Sequence, residues 1–88
     1  MVHQKPEWVR VYLGNLPYTL DSRELIEFVV KMGYPCERPQ IVKNRETGLS
    51  MGFAFFDLLK SQAEEAIVVL NGHELNGRTI RAAKAKER

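Results

Sequence analysis

The stretch Met51–Leu58 reads MGFAFFDL and decides the fold, because it alternates two sets of large side chains along one predicted strand. Successive side chains of a β-strand point to opposite faces of the sheet. The set that we expect to face the core consists of Ala54, Phe56 and Leu58. The set that we expect to point away from the core consists of Phe53, Phe55 and Asp57. Aromatic rings on both sides of one strand predict a sheet whose outer face also has a use.

Two helix signals flank this strand. Asp21 precedes Glu24 by three residues, which is a variant of the capping box that begins a helix. Ser61 and Glu64 repeat the same spacing, and we expect them to cap the second helix in the same way. Apolar residues at helical spacing follow each pair and give each helix one apolar stripe. The predicted helices cover residues 22–32 and 62–70.

Strand signals occur before, between and after the two helices. The turn cluster Asn44–Gly48 separates the two middle strands, and Asn76-Gly77 predicts a tight type I′ hairpin. The predicted strands cover residues 9–13, 41–43, 51–58 and 79–85. The element order βαββαβ is typical of the ferredoxin-like α+β fold, in which a four-stranded antiparallel sheet carries two helices on one face. Its other face would be polar unless it serves a function.

The composition describes one small and mildly basic domain. Among 88 residues, 13 Lys and Arg against 11 Asp and Glu give a net charge of +2, which permits a nucleic-acid partner without demanding one. Cys36 is the only cysteine, so an internal disulfide is excluded, and we expect it in an exposed loop from Tyr34 to Arg38. The longest aliphatic run is far shorter than the ~20 residues that cross a bilayer. We expect an intracellular protein without a membrane partner, in nucleus or cytoplasm, which the sequence does not separate.

Motifs typical of catalysis do not occur in the sequence. It contains no His-Glu-x-x-His, no Cys-x-x-Cys and no Gly-x-Gly-x-x-Gly, and its two histidines and one cysteine lie far apart. We therefore expect no enzymatic activity, no cofactor and no metal site.

Three aromatic rings are predicted on the uncovered face of the sheet. In the first strand Val11 and Leu13 would meet the helices, so Tyr12 points away from them, to the same side as Phe53 and Phe55. An exposed aromatic cluster lowers solubility and normally marks a binding site.

The segments Val11–Leu16 and Met51–Leu58 resemble the short and long signature motifs of the RNA-recognition motif family. The resemblance extends over residues 9–85, and we treat residues 1–8 as an N-terminal extension and 86–88 as a basic tail. It implies a monomeric module that binds single-stranded RNA and serves in the regulation or processing of RNA. Single-stranded DNA is an alternative ligand, because stacking does not depend on the 2′-hydroxyl.

The resemblance also implies roles for individual residues. Tyr12 and Phe55 correspond to rings that stack on two successive bases, and Phe53 to a ring that packs against the sugar between them. Met51 stands where the family has a Lys or Arg that contacts a phosphate. Other cations are therefore expected to contact RNA, and the candidates are Arg10, Arg81, Lys84, Lys86 and Arg88. Gln40, on the same face, is a candidate for a hydrogen bond to a base edge.

The sequence allows two partners for Asp57 and a second kind of binding surface. Asp57 is expected to point outward among the rings, where it accepts a hydrogen bond either from a base amino group or from a nearby arginine. A protein-interaction variant of the fold would instead bind a peptide on its helical face, often through an Arg-x-Phe before the last strand. The chain has Arg78-Thr79-Ile80 at that point and keeps all three rings, which disfavours this alternative.

Overall fold

The computed structural model describes residues 7–85 of the chain. The helices are α1 (Ser22–Lys31) and α2 (Lys60–Leu70). The strands are β1 (Trp8–Gly14), β2 (Cys36–Lys43), β3 (Ser50–Leu59), β4 (Glu74–Leu75), β5 (Arg78–Thr79) and β6 (Arg81–Lys84). The predicted order βαββαβ is confirmed, with β4 and β5 added as a short hairpin before the last strand. Within residues 7–85 no helix has the length and apolar character needed to cross a membrane.

Four strands form an antiparallel sheet in the order β2-β3-β1-β6. In its central pair, Val11 lies opposite Phe56 and Tyr12 lies opposite Phe55. Residues directly opposite each other in an antiparallel pair point to the same face. Phe56 accordingly joins the core and is fully buried, whereas Phe55 points to the other face and keeps part of its surface exposed. The predicted register of β3 is confirmed.

Both helices pack on one face of this sheet. The buried core combines the stripe of α1, with Leu25 and Val29, the stripe of α2, with Ala66 and Leu70, and the inward residues of the strands. Removing these apolar side chains from water, at about 25 cal/mol per Å², supplies the main stabilising free energy of folding. The rings of the opposite sheet face lie outside this core.

The two helices begin in different ways. The capping box of α1 forms as predicted: the Asp21 carboxylate accepts from the Glu24 N–H at 2.8 Å, and the Glu24 carboxylate accepts from the Asp21 N–H at 3.2 Å. The predicted capping box of α2 is wrong. This helix begins at Lys60, directly after β3, so Ser61 lies inside the first turn rather than at the cap. The chain runs from strand to helix without a loop, and no side chain caps α2. The first helical N–H, that of Lys60, donates to the Glu7 carbonyl at 2.9 Å.

The second strand is longer than the predicted 41–43 and begins at Cys36. Cys36 pairs with Leu58 of β3 and is half-buried, so the expected exposed loop at this position is wrong. Pro39 weakens the strand signal in the sequence, but β2 is an edge strand, where a missing N–H is tolerated. Burial raises the pKa of the Cys36 thiol to about 11, which keeps it protonated and unreactive at neutral pH.

The C-terminal strand is divided, contrary to the prediction of one strand over residues 79–85. Asn76 and Gly77 have φ angles of 49° and 81°, as the predicted type I′ turn requires, and they connect β4 with β5. Ile80 follows the hairpin and is fully buried, and its N–H donates to the His73 carbonyl at 2.9 Å. The buried Ile80 ends the hairpin, and β6 begins at the next residue. Arg78 is thereby placed beside the end of β1.

Candidate nucleic-acid interface

Three aromatic rings cluster on the face of the sheet that the helices leave uncovered. The ring centroid of Tyr12 lies 6.0 Å from that of Phe53 and 5.8 Å from that of Phe55, and the two phenylalanine rings are 6.4 Å apart in an edge-on arrangement. Each ring keeps part of its surface exposed. We call Tyr12, Phe53 and Phe55 the aromatic triad; the sequence predicted all three members and the face on which they lie.

Small neighbours give the Tyr12 ring its place in the triad. A Cβ at Gly14, two residues along the same face of β1, would overlap the Tyr12 hydroxyl oxygen. On the adjacent strand β6, Ala83 lies opposite Tyr12. The ring therefore extends along β1 over Gly14, and part of its surface stays exposed.

Asp57 lies at the other end of the triad, beneath two arginines. It pairs with Arg10 across the strands and shares the face of the triad, but only 4% of its surface is exposed. Its Oδ1 accepts from Arg10 Nη1 at 3.0 Å, and its Oδ2 accepts from Arg38 Nε at 2.6 Å. The prediction that the Asp57 carboxylate stands exposed among the rings is wrong, because the side chain is buried under the two arginines. Of its two predicted partners, the structure favours arginine.

The electrostatic balance at Asp57 favours the ionised form. Burial by itself acts to raise the pKa of this carboxyl, because a charge is poorly solvated there. The hydrogen bonds and positive charges of Arg38 and Arg10 outweigh burial, and together they bring the pKa of Asp57 below its usual value. Asp57 is therefore a stable anion that holds two guanidinium groups beside the triad.

The same network includes Gln40, the predicted base-edge residue. Arg10 Nη2 donates to Gln40 Oε1 at 3.1 Å, and Arg10 Nη1 also donates to the Arg38 carbonyl at 2.9 Å. Gln40 lies opposite Phe55 and is exposed, so its side chain lies on the same face as the triad. The structure thus brings Arg10 and Gln40 together at the Phe55 end of the surface.

Arg38 is a member of this network that the sequence did not reveal. Its positive φ of 49° lies at an irregularity of β2, where the register with β3 shifts between Glu37 and Gln40. Such a bulge redirects a side chain of an edge strand, and here the side chain reaches Asp57. Pro39 next to it hinted that the strand is irregular, but nothing local pointed to the partner.

The remaining predicted cations occupy different places. Arg81 lies opposite Gly14 and is exposed on the face of the triad, as predicted. Lys84 lies opposite the buried Val11, so it points to the helical side, where it lines a groove beside α2. Its expected position near the triad was wrong, because alternation along β6 turns it away. Lys86 and Arg88 lie outside the described residues.

A second arginine missed by the sequence lies beyond the Phe53 end of the triad. Arg78, at the start of β5, donates from Nη2 to Asn15 Oδ1 at 2.6 Å and from Nε to the Asn15 carbonyl at 3.2 Å. Asn15 has a left-handed φ of 59°, and its side-chain amide donates to the Thr79 carbonyl at 2.8 Å. The left-handed turn at Asn15 is thus tied to the hairpin through Thr79 and Arg78.

Among residues 7–85, no three His, Cys, Asp or Glu side chains come together as a metal site.

These features agree with a known class of protein. Residues 11–81 match the RNA recognition motif family, and the chain belongs to that family. Among its curated relatives is a 28 kDa chloroplastic ribonucleoprotein of Spinacia oleracea, 36% identical over 86 residues, which cover 97% of this chain and 36% of the relative. A 28 kDa chloroplastic ribonucleoprotein of Nicotiana sylvestris is 41% identical over 81 residues, which cover 90% and 29%. The chain thus spans about a third of the length of these relatives.

Solved structures agree with this assignment. The crystal structure of RNA Binding Protein PG1 has a TM-score of 0.81 at 31% identity and covers 91% of this chain and 96% of its own. The structure of the Rna15 RRM with bound RNA (GU) has a TM-score of 0.76 at 25% identity and covers 89% and 83%. The ferredoxin-like fold predicted from the sequence is confirmed.

Proposed function

We propose that this chain is a non-enzymatic module that binds single-stranded RNA on the aromatic triad. In this proposal Tyr12 and Phe55 stack on two successive bases, and Phe53 packs against the sugar between them. The observation that carries the proposal is the triad itself, three neighbouring and partly exposed rings on a sheet face outside the core. A purely structural role would favour polar side chains on that face.

The rings alone do not supply enough free energy for a useful complex. Each base–aromatic stack contributes ~1–3 kcal/mol, so three rings contribute roughly 3–6 kcal/mol if one of them contributes weakly. A micromolar dissociation constant corresponds to about 8 kcal/mol. Polar and ionic contacts around the triad are therefore part of the proposal.

We propose that two polar residues on the same face, Arg81 and Gln40, make such contacts, and that Arg10 orients Gln40. The exposed guanidinium of Arg81 is our candidate for a phosphate contact beside Tyr12. At the other end, Arg10 accounts for one acceptor site of Gln40 and leaves the Gln40 amide N–H groups for a base carbonyl above Phe55. Lys84 points to the helical side and is left out of the proposed site, and Lys86 stays a prediction from the sequence.

The proposal covers the module and leaves the biological process open. The curated relatives are chloroplast ribonucleoproteins, which agrees with an intracellular location. The chain spans about a third of them, so the RNA targets and partners of a whole protein are further proposals. Modules of this kind gain affinity when a second binding module is linked to them, through the effective concentration that the linker sets.

The test compares Phe55→Ala with Val68→Ala, a substitution of an exposed apolar residue on α2. Binding of labelled mixed-sequence RNA and DNA oligomers is followed by fluorescence anisotropy. We expect Phe55→Ala to weaken RNA binding by ~1–3 kcal/mol, which is about 5- to 150-fold, because one stack is lost. Val68 is 76% exposed and lies on the helical side, so its substitution leaves RNA affinity unchanged.

Chemical-shift mapping separates this function from its alternatives. RNA is expected to shift the amide signals of β1 and β3 around the triad. Equal affinity for RNA and DNA would favour a general single-strand binder. If Phe55→Ala binds RNA as tightly as Val68→Ala does, or if shifts concentrate on α2, the stacking mechanism is wrong and the peptide-binding alternative gains.

A further inference from the structure

A concavity extends the surface beyond the Phe53 end of the aromatic triad. It has a volume of about 240 Å³, and Asn15, Tyr18, Met51, Phe53 and Arg78 are among its lining residues. We call it the Arg78 notch. Because Phe53 belongs both to the triad and to the notch, a strand lying across the triad would continue into it.

The guanidinium in this notch is held in place by its neighbours. Two hydrogen bonds fix Arg78 to the side chain and the carbonyl of Asn15, and its guanidinium carbon lies 5.5 Å from the centre of the Tyr18 ring. Tyr18 is 65% exposed, so this cation–π pair stands open to solvent. A cation that is already ordered loses little side-chain entropy when it binds a ligand.

The backbone around the notch is shaped to admit the Tyr18 ring. Gly52 has a φ of 84°, and a Cβ added there would lie 2.9 Å from Tyr18 Cε1. The Gly52 carbonyl accepts from the Leu16 N–H at 2.8 Å, which ties the loop after β1 to the start of β3. Glycine at this position therefore lets the ring that supports Arg78 pack against the strand.

The charge of the notch points to an anionic ligand. None of the residues that line it is acidic, and Met51 and the aromatic rings carry no charge. Arg78 Nη1 makes no hydrogen bond within the described residues, so it keeps donors for a new acceptor. Two adjacent N–H groups of a guanidinium match the oxygens of a phosphate.

We infer that Arg78 binds a backbone phosphate of the single strand, next to the nucleotide at Phe53. This inference rests on the proposed function, since the triad has to place the strand. Arg78 thereby supplies, from the β4–β5 hairpin, a positive charge that Met51 does not supply from β3. The notch recognises the phosphodiester and makes no distinction among bases.

The test is the salt dependence of RNA binding by Arg78→Gln, Arg78→Lys and Arg23→Gln. Arg23 is the matched control, because its loss changes the net charge equally but it lies on α1, paired with Glu27. A short fluorescein-labelled RNA of mixed sequence is titrated between about 50 and 200 mM salt. For Arg78→Gln we expect affinity to fall roughly three- to tenfold at low salt and the slope of log K against log salt to fall by ~0.7. Arg78→Lys keeps most of the slope, and Arg23→Gln leaves it unchanged.

A neutral linkage identifies the contacted phosphate. RNA oligomers that carry one methylphosphonate linkage at a time are compared between the original chain and Arg78→Gln. One linkage is expected to weaken the original chain and to leave the variant unaffected. An unchanged slope in Arg78→Gln overturns the inference, including the case in which affinity falls because Asn15 has lost its partner. If Phe55→Ala binds RNA as tightly as the original chain, the proposed function itself has failed.

Discussion

Replacing Asp57 by Asn tests whether this carboxylate organises the arginine side of the surface. Asn keeps the volume of the side chain but removes its charge and presents an N–H₂ group to one of the two guanidinium donors. The Asp57 side chain is 5% exposed and that of Arg10 is 21% exposed, so their bond is shielded from water. The Arg38 side chain is 73% exposed, and its bond contributes little by comparison.

The magnitude follows from the shielded bond. A hydrogen bond between charged groups contributes roughly 1.5–3 kcal/mol, and a half-buried arginine that loses its anionic acceptor adds a small penalty for poor solvation. We expect Asp57→Asn to lower the free energy of unfolding by about 2 kcal/mol at pH 7. For a domain of this size that corresponds to a decrease in Tm of about 8–16 °C.

The pH dependence gives the prediction a second readout. The pKa of Asp57 lies below its usual value in the folded chain, so its stabilising contribution is fully present above the unfolded pKa of ~3.9. That contribution is lost as the pH falls through the lower pKa of the folded chain. The difference in stability between the original chain and Asp57→Asn should therefore be constant from pH 5 upward, and shrink in more acidic solution.

The assay is thermal and urea unfolding followed by circular dichroism, with Glu27→Gln as control. Glu27 makes an ion pair with Arg23 on α1, but the two side chains are 65% and 89% exposed. Its substitution should leave Tm nearly unchanged, because exposed ion pairs contribute little. The assigned role of Asp57 would be refuted if Asp57→Asn were as stable as Glu27→Gln. It would also be refuted if the stability difference between the original chain and Asp57→Asn did not shrink in acid.

Two further substitutions test the register of β3 and the position of the Tyr12 ring. Phe56→Ala empties a fully buried position and should cost ~3–5 kcal/mol of stability, measured by urea unfolding; a loss no larger than that of Phe55→Ala would show that the register is displaced by one residue. Gly14→Ala should leave the fold intact but push the Tyr12 ring from its place, because the new Cβ would meet the Tyr12 hydroxyl. We expect RNA affinity, measured by anisotropy, to fall by up to one stack, ~1–3 kcal/mol; unchanged affinity would show that the ring is not needed where it lies.

The rings of the site could be predicted from the sequence because strand alternation is a local rule. Phe55 and Phe56 are neighbours in the chain, and burying one forces the other to the opposite face. The capping box of α1 was predictable for the same reason, since Asp21 and Glu24 lie within one turn. Where a boundary depended on packing against a distant segment, prediction failed. The start of β2 at Cys36 needs its partner Leu58 on β3.

The charged parts of the surface could not be predicted, because their partners are far apart in the chain. Arg10 and Asp57 are separated by 47 positions, and Arg78 and Asn15 by 63. The sequence presented Arg10 as one surface cation among several and Arg78 as a hairpin residue. Which of them stands ordered beside the rings depends on strand order and on a bulge in β2. Pro39 hints at the bulge, but no local residue identifies the partner strand or the partner side chain.

An acidic residue on a face that we propose for RNA binding has a physical explanation in this arrangement. A bare carboxylate beside the triad would repel phosphates, but Asp57 is covered by two guanidinium groups. Because one carboxylate holds two guanidinium groups, the cluster keeps a net positive charge. It also holds Arg10 where Gln40 can accept from it, which fixes the orientation of the amide beside Phe55. Asp57 therefore serves the proposed site as a positioning residue, and its removal should disturb the order of the arginines more than it helps their charge.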